Sequence, residues 1–574
     1  MRPILTSLID ILRWRAENQP GKLSYRFLKD GEHDEVSITY EELDQRARSI
    51  GAMLQSYAKA GDRALLLFPA GLDFIAAYFG CLYAKVIAIP AYPPHPARLE
   101  KTLSVIHNIV DDAQPSVALT NSSIYNAIVY RNELMTWFND MKLLVTDSQE
   151  LKGWVEKWQQ PRIAKNDIAF LQYSSGSTSS PKGVMVTHDN LLHNLDIIEK
   201  STGVTEKSQS VFWLPPYHDM GLIGGILQGV YTGYPATLMS HMMFLQRPIR
   251  WLQAISWFQA TTSGAPNFAY DLCVRRIRAD QREQLDLSGW ELAFNGAEPV
   301  DHKTLDQFAD YFASCGFRRK AFFPCYGLAE ATLMVVGPST QHSPIIQNLV
   351  KSGLEQNKAI FSPKMAENTQ SLVSCGRTLG AQTIKIVNAE TLIECLPDEI
   401  GEIWVSGPSV TSGYWRNPLA TAAVFDVYLP DCEDGPFLRT GDLGFLHDGE
   451  LYITGRLKDV IIIDGKNHYP HDIERTVEIS HHAILPGGCA VFSIKNSGCE
   501  RVVVMAEIQH NLIANLGEIP KAIRAFVSKY HDLSVYDIKL CRAGSIPRTT
   551  SGKIRHFLCQ KNYLAGALTE ITLV

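Results

Sequence analysis

The sequence predicts an α/β fold, a large N-terminal domain followed by a small α+β one. Three observations carry this expectation. At 574 residues the chain exceeds what one hydrophobic core ordinarily supports. Short apolar runs of strand type alternate with amphipathic helical runs through most of residues 1–457. The pattern then changes at GRLKDVIIIDGKNHYP (455–470), where a charged turn and a dense strand precede a helix starting near His471.

Taken in order, ITYEELDQRARSIGAML reads as a helix with Thr39 and Glu42 as its capping box and Leu43, Ala47, Ile50 and Leu54 along one face. DRALLLF reads as a buried strand, LDFIAAYFGCLYA as a helix and VIAIP as a strand. Later, VMVTH is a strand leading into the helix DNLLHNLDII. Beyond the boundary placed near residue 457, the small domain (458–574) has the strand RVVVMAEIQ, a helix around Ile523, Phe526, Val527 and Tyr530, the strand VYDIKLC and a polar tail. No repeat period stands out.

Composition bounds the function classes. A formal net charge of -6 carries no basic excess for nucleic acid. The eleven cysteines are scattered, without CxxC pairs or zinc-ligand spacing, which suits free thiols in a reducing cytoplasm. The N-terminus has Asp10, Arg13, Arg15 and Glu17 where a signal peptide needs an unbroken apolar core, and the apolar region from Ala64 to Tyr92 is interrupted by Asp73, Lys85 and prolines. A cytoplasmic protein without stable membrane insertion is expected.

The stretch QYSSGSTSSPKG (172–183) is the first with chemistry in it. Ser174, Ser175, Ser177, Thr178 and Ser179 offer hydroxyls and closely spaced N–H groups around Gly176, and Lys182 adds a charge beside Gly183, a composition suited to phosphate. A Walker loop is excluded, because Pro181 precedes the lysine and a strand rather than a helix follows it. By itself the segment reads equally as a polar hairpin loop.

It has company. NGAE (295–298), YGLAEAT (326–332), TGD (440–442), GRLKD (455–459) and PRTTSGK (ending at Lys553) follow in that order. The ordered set resembles the adenylate-forming superfamily of acyl-CoA synthetases, luciferases and peptide-synthetase adenylation domains, over essentially the whole chain. That resemblance implies mixed β-sheets with flanking helices, a mobile C-terminal lid, and ATP with Mg²⁺. A carboxylate becomes an acyl adenylate with release of pyrophosphate, and a thiol then takes the acyl group. Because two anions meet, the catalytic groups should be cations, metal ligands and N–H donors rather than a protein nucleophile.

Carried over residue by residue, the resemblance makes Glu330 the magnesium ligand and Tyr326, beside Gly327, the ring lying against adenine. Asn295, Gly296, Ala297 and Glu298 form the turn beside the base. Asp442 holds the ribose and Arg456 contacts the nucleotide. Lys458 is the hinge, and Lys553 bridges the carboxylate and the α-phosphate. Lys182 serves the leaving pyrophosphate. Ala329 stands where the superfamily usually has Thr, so that hydroxyl contact is not transferred.

LPPYHDMGLIGG with His218 and Asp219, AYPPHPAR (91–98), Ser179 in place of a usual glycine, and NHYPHDIE (467–474) resemble the fatty acyl-AMP ligase branch. His218 is either a gate to the acyl pocket or a structural turn residue. Residues 338–370 exceed the length expected of a CoA synthetase by roughly twenty. In this branch such an insertion packs on the large domain and restrains the small one; the alternative is a tolerated surface elaboration. Met220, Leu222, Ile223, Ile226 and Leu227 are candidates for an acyl tunnel, though a core helix has the same composition. The branch implies a fatty acid substrate and a phosphopantetheinylated acyl carrier protein acting in trans. A CoA synthetase and a non-catalytic nucleotide-binding sensor are the rival readings.

Overall fold

A computed structural model describes residues 6–94, 99–129, 141–174, 181–340, 342–430, 435–496, 499–509, 516–549 and 552–568. Among them the alternating pattern resolves into two large sheets with helices packed on them. One has six strands in the order Lys142–Val145, Val117–Thr120, Arg63–Leu67, Ile87–Ala91, Ile168–Ser174 and Lys182–Thr187, parallel except for the last pair. The other has seven, Phe322–Pro324, Leu292–Asn295, Thr262–Ala265, Ser210–Phe212, Ala236–Met239, Leu23–Leu28 and Glu35–Thr39, parallel except for its terminal hairpin.

The helices start where local chemistry dictates. Thr39 Oγ1 accepts from the Glu42 amide and Glu42 Oε2 accepts from the Thr39 amide, so the anticipated capping box opens helix Tyr40–Tyr57. The apolar faces of this helix and of Leu72–Tyr83 and His188–Thr202 share one core with both sheets.

Parallel strands end on one side of a sheet, and ligands gather outside those ends. Strand Leu292–Asn295 runs out into Gly296–Glu298, Phe322–Pro324 into Tyr326, and Ser210–Phe212 into the His218 turn. An antiparallel four-stranded sheet, Thr383–Val387, Gly401–Ser406, Leu438–His447 and Glu450–Arg456, brings Asp442 and Arg456 opposite one another.

After the turn at 457–459 the chain enters a separate core built on strands Ile484–Asn496, Cys499–Ile508 and Val535–Arg542 with helices Pro470–Ser480 and Ile519–His531. No described helix is long and apolar enough to cross a membrane.

One element departs from expectation. The run after His218, read as acyl-tunnel candidates or as part of a core helix, winds as a π-helix, Met220–Leu227. Gly221, Gly224 and Gly225 tolerate the wider turn, and Asp219 Oδ1 accepts from the Met220 amide at its start (2.7 Å). Leu222, Ile223, Ile226 and Leu227 are buried in the main core.

Candidate active site

The site is assembled from loops at the strand ends. Asp442 is buried and has partners on both carboxylate oxygens: Tyr326 donates its hydroxyl to Oδ2 (2.8 Å), and Arg456 donates Nε to Oδ1 (2.9 Å). Asp442 and further acidic neighbours hold the Arg456 guanidinium firmly charged, and burial together with Asp442 keeps the Tyr326 phenol protonated as the donor. The three side chains thus form a fixed polar wall, with Tyr326 at its buried end and Arg456 at its wet end.

Glu330 sits on a short 3₁₀ turn, Ala329–Ala331. Burial raises its carboxyl above the usual range, which marks a carboxylate short of positive charge. Tyr414 donates its hydroxyl to Glu330 Oε1 (2.9 Å), and Lys182 lies 4.6 Å from the centroid of the same tyrosine ring. Two backbone approaches are close enough to require glycine here. A Cβ on Gly183 would meet the Tyr173 ring at 2.9 Å, and one on Gly327 would run into the Leu333 carbonyl.

Lys553 comes from the small C-terminal unit. A tight turn presents it: its amide donates to Thr549 Oγ1 (3.0 Å), and its carbonyl accepts from the Thr549 amide (2.7 Å). Solvent still reaches the side chain, yet the protein crowding the cleft, together with Arg456, draws its ammonium below the ordinary lysine range. Three carboxylates oppose that pull: Asp219, Asp442 and Glu298. Glu298 accepts from the Phe268 amide at the start of helix Asn267–Arg276 (2.6 Å), which fixes its carboxylate. The residue before it, Ala297, has a left-handed φ of 68° that turns Glu298 toward the cleft.

His218 lies beside Lys553 and His241, and burial with those two neighbours pulls its pKa down to about 4. The imidazole is therefore neutral at physiological pH. Asp219 is raised by burial and faces both Lys553 and Glu330.

The structure therefore brings together Glu298, Tyr326, Glu330, Asp442, Arg456 and Lys553, with His218 and Lys182 at the margins. Asn295 is buried, its amide donating to Asn267 Oδ1 (3.3 Å), and Gly296 backs onto the Cys325 carbonyl. Ser175, Gly176, Ser177, Thr178 and Ser179 lie outside the described residues, and Ser174 is the last residue of its strand. Sequence reasoning missed Tyr414, because SGYW resembles any loop aromatic. It read Glu298 only as backbone and did not count Asp219, the neighbour of His218, as a site residue.

The 338–370 segment forms an antiparallel hairpin with the residues after it, Ile346–Val350 against Thr369–Val373. Leu349, Leu354 and Ala359 pack with Leu443, Phe445 and Tyr452 of the large unit and Tyr469 of the small one. Polar contacts continue across: Gln370 Nε2 to Asp472 Oδ1 (2.8 Å), Lys466 to Glu355 (3.5 Å) and the Asn467 amide to the Glu355 carbonyl (3.0 Å).

Residues 12–415 match the AMP-binding enzyme family. The chain belongs to that family. Residues 458–572 match the AMP domain of the Disco-interacting protein 2-like family. Among AMP-binding enzymes the chain is 46% identical to the medium-chain-fatty-acid–[acyl-carrier-protein] ligase JamA of Moorena producens, covering 99% of this chain and 97% of that one. It is 36% identical to a putative fatty-acid–CoA ligase, fadD25, of Mycobacterium tuberculosis, over the full length of both. A crystal structure of a fatty acyl-adenylate ligase from L. pneumophila, in complex with acyl adenylate and pyrophosphate, superposes with a TM-score of 0.77 at 44% identity, covering 98% of this chain and 96% of that one. The resemblance to the fatty acyl-AMP ligase branch is thus shared with full-length relatives of this AMP-binding enzyme.

Proposed function

We propose that this AMP-binding enzyme activates a medium-chain fatty acid with ATP and passes the acyl group to the phosphopantetheine thiol of an acyl carrier protein. The observation that carries the reading is Lys553, delivered by the small unit into a cleft faced by Asp442, Glu298 and Asp219. A cation that both domains must cooperate to place suits a reaction in which two anions have to meet.

In the first step a carboxylate oxygen attacks the α-phosphorus and the bond to the pyrophosphate oxygen breaks, so pyrophosphate leaves with its electron pair. Lys553 offsets the charge where carboxylate and α-phosphate converge, and Lys182 does so on the pyrophosphate side. Asp442 accepts from the ribose hydroxyls while Tyr326 lies against the base. Glu330 fits a hard cation: it is a deep carboxylate with one oxygen engaged by a neutral hydroxyl, and Mg²⁺ needs only one or two carboxylates beside phosphate and water. When bound, Mg²⁺ neutralises phosphate charge. In the second step the thiolate sulfur attacks the acyl carbonyl, the carbon–oxygen bond to AMP breaks, and AMP leaves.

An apolar crevice of only about 10 Å³ lies beside the His218 turn, lined by Phe27, Ile75, Phe212, Leu214, Ile226 and Met239 among others, so a fatty acyl chain enters there only by displacing these side chains. Of the anticipated tunnel residues Ile226 lines this crevice, while it and Leu222, Ile223 and Leu227 all belong to the core. The 338–370 segment, bridging both units, favours the carrier-protein acceptor by holding the small domain against the rotation that would receive CoA. The cytoplasm is the proposed setting, with residues 458–574 as the mobile lid and Lys458 as its hinge.

The relative named as a fatty-acid–CoA ligase supports a second acceptor, CoA. Incubation with ATP, Mg²⁺, dodecanoate and either CoA or a phosphopantetheinylated carrier protein separates the two. Acyl-carrier protein without acyl-CoA is expected, and robust acyl-CoA release overturns the assignment. Absence of hydroxamate when hydroxylamine traps the adenylate reaction would support a non-catalytic sensor instead.

A further inference from the structure

Tyr414 has no part in the reading above except as a neighbour, yet its surroundings are built with care. The segment carrying it adds to the edge of strand Lys182–Thr187: the Met185 amide donates to the Gly413 carbonyl (2.9 Å), and the Trp415 amide donates to the Gly183 carbonyl (2.7 Å). The same segment reaches Glu330 through its backbone, the Thr411 amide donating to the Glu330 carbonyl (2.9 Å). The tyrosine is 7% exposed, stacks edge-on against Phe425 (5.1 Å), and has its own amide bonded to Thr421 Oγ1 (3.0 Å). A ring held this firmly cannot follow either of its polar neighbours; they must accommodate it.

We propose that Tyr414 is a positioning residue that couples the metal carboxylate to the phosphate-side lysine. Its hydroxyl fixes one oxygen of Glu330, which stops the carboxylate from turning about its last torsion. Its ring face holds the Lys182 ammonium, which would otherwise swing on a four-carbon stem. One rigid side chain thus sets the distance between the two groups that grip the triphosphate. Preorganisation of this kind lowers the ordering cost of binding Mg·ATP without touching the substrate. The inference rests on the reading of Glu330 as the magnesium ligand and Lys182 as a phosphate contact.

The test uses the full chain and three variants: Tyr414→Phe, which keeps the ring and loses the hydroxyl; Tyr414→Leu, which loses both; and Glu330→Gln, which probes the metal reading itself. ATP binding is measured by calorimetry with Mg²⁺ and with EDTA, and the Mg²⁺ midpoint of adenylate formation by hydroxamate trapping. Tyr414→Phe should raise the Mg²⁺ midpoint about tenfold, the size of a lost hydrogen bond to a charged group, while ATP binding in EDTA stays at the wild-type value. Tyr414→Leu should in addition weaken ATP binding in EDTA by about threefold, because Lys182 loses its platform. An unchanged midpoint in Tyr414→Phe beside a raised one in Glu330→Gln overturns the proposal and leaves the metal reading standing. Unchanged midpoints in both remove the metal reading and the proposal with it.

Discussion

The contact between the 338–370 segment and the small unit can be loosened without touching the catalytic groups. The perturbation is the double variant Glu355→Ala, Gln370→Ala. Gln370 donates to the Asp472 carboxylate at 2.8 Å, in a half-buried setting, and a hydrogen bond of this kind contributes about 1 kcal/mol once solvent screening is counted. The Lys466–Glu355 ion pair spans 3.5 Å, and Lys466 is 45% exposed, so it adds no more than about 0.5 kcal/mol. The bond from the Asn467 amide to the Glu355 carbonyl survives, as does the apolar packing around Leu354 and Tyr469. A combined loss of about 1.5 kcal/mol shifts the balance between docked and rotated small domain by roughly tenfold. The assay compares acyl transfer to CoA and to carrier protein, and follows tryptic cleavage at Lys458 as a measure of hinge freedom. CoA acylation and cleavage should both rise. A folded double variant with unchanged acceptor preference and unchanged cleavage refutes the restraint.

Lys553→Ala should lower adenylate formation by about 10²–10³-fold, the usual loss for a positioned charge, while calorimetric ATP binding stays near wild type; unchanged turnover would remove the lysine from the chemistry. Phe27→Ala should enlarge the acyl crevice and move the preferred substrate upward by about two to four methylenes, each buried methylene contributing about 0.8 kcal/mol. A chain-length series with the same optimum would detach the crevice from the acyl chain. Glu478 gives a pH prediction: burial, with Glu474 nearby and against a hydrogen bond from the Gly487 amide, pushes its carboxyl up to about 7. Between the unfolded value of 4.5 and about 7 the folded protein holds a proton that the unfolded chain has released, so stability falls as pH rises through that window. Glu478→Gln should flatten the fall in melting temperature between pH 5 and pH 7, and parallel melting curves for variant and wild type would contradict it.

Much of the scaffold was legible because its signals are local. The capping box at Thr39 and Glu42, the strand periods of DRALLLF and VIAIP, and the turn at 457–459 depend on neighbours a few residues apart, where backbone sterics and side-chain hydrogen bonds act. The motif order in turn named Glu330, Asp442 and Lys553 before any contact was known. The π-helical turn after Asp219 was not legible, since its glycines and apolar residues suit an ordinary core helix equally well, and the need for glycine at 221 shows only in the fold, where a Cβ would run into the Pro215 carbonyl.

What the sequence by itself determined, then, is the local scaffold and the order of its motifs, and through their resemblance to a known superfamily the candidates Glu330, Asp442 and Lys553. Only the tertiary structure decided how those groups act on one another. Lys553 and Asp442 belong to units with separate cores, and the lysine's lowered proton affinity arises from the protein crowding the cleft and from Arg456, neighbours that only the folded chain places beside it. Tyr414 became a partner of Glu330 because a loop adds to a strand edge far away in the chain. Desolvation and Coulomb interaction depend on distance through space, and sequence separation carries no information about that distance.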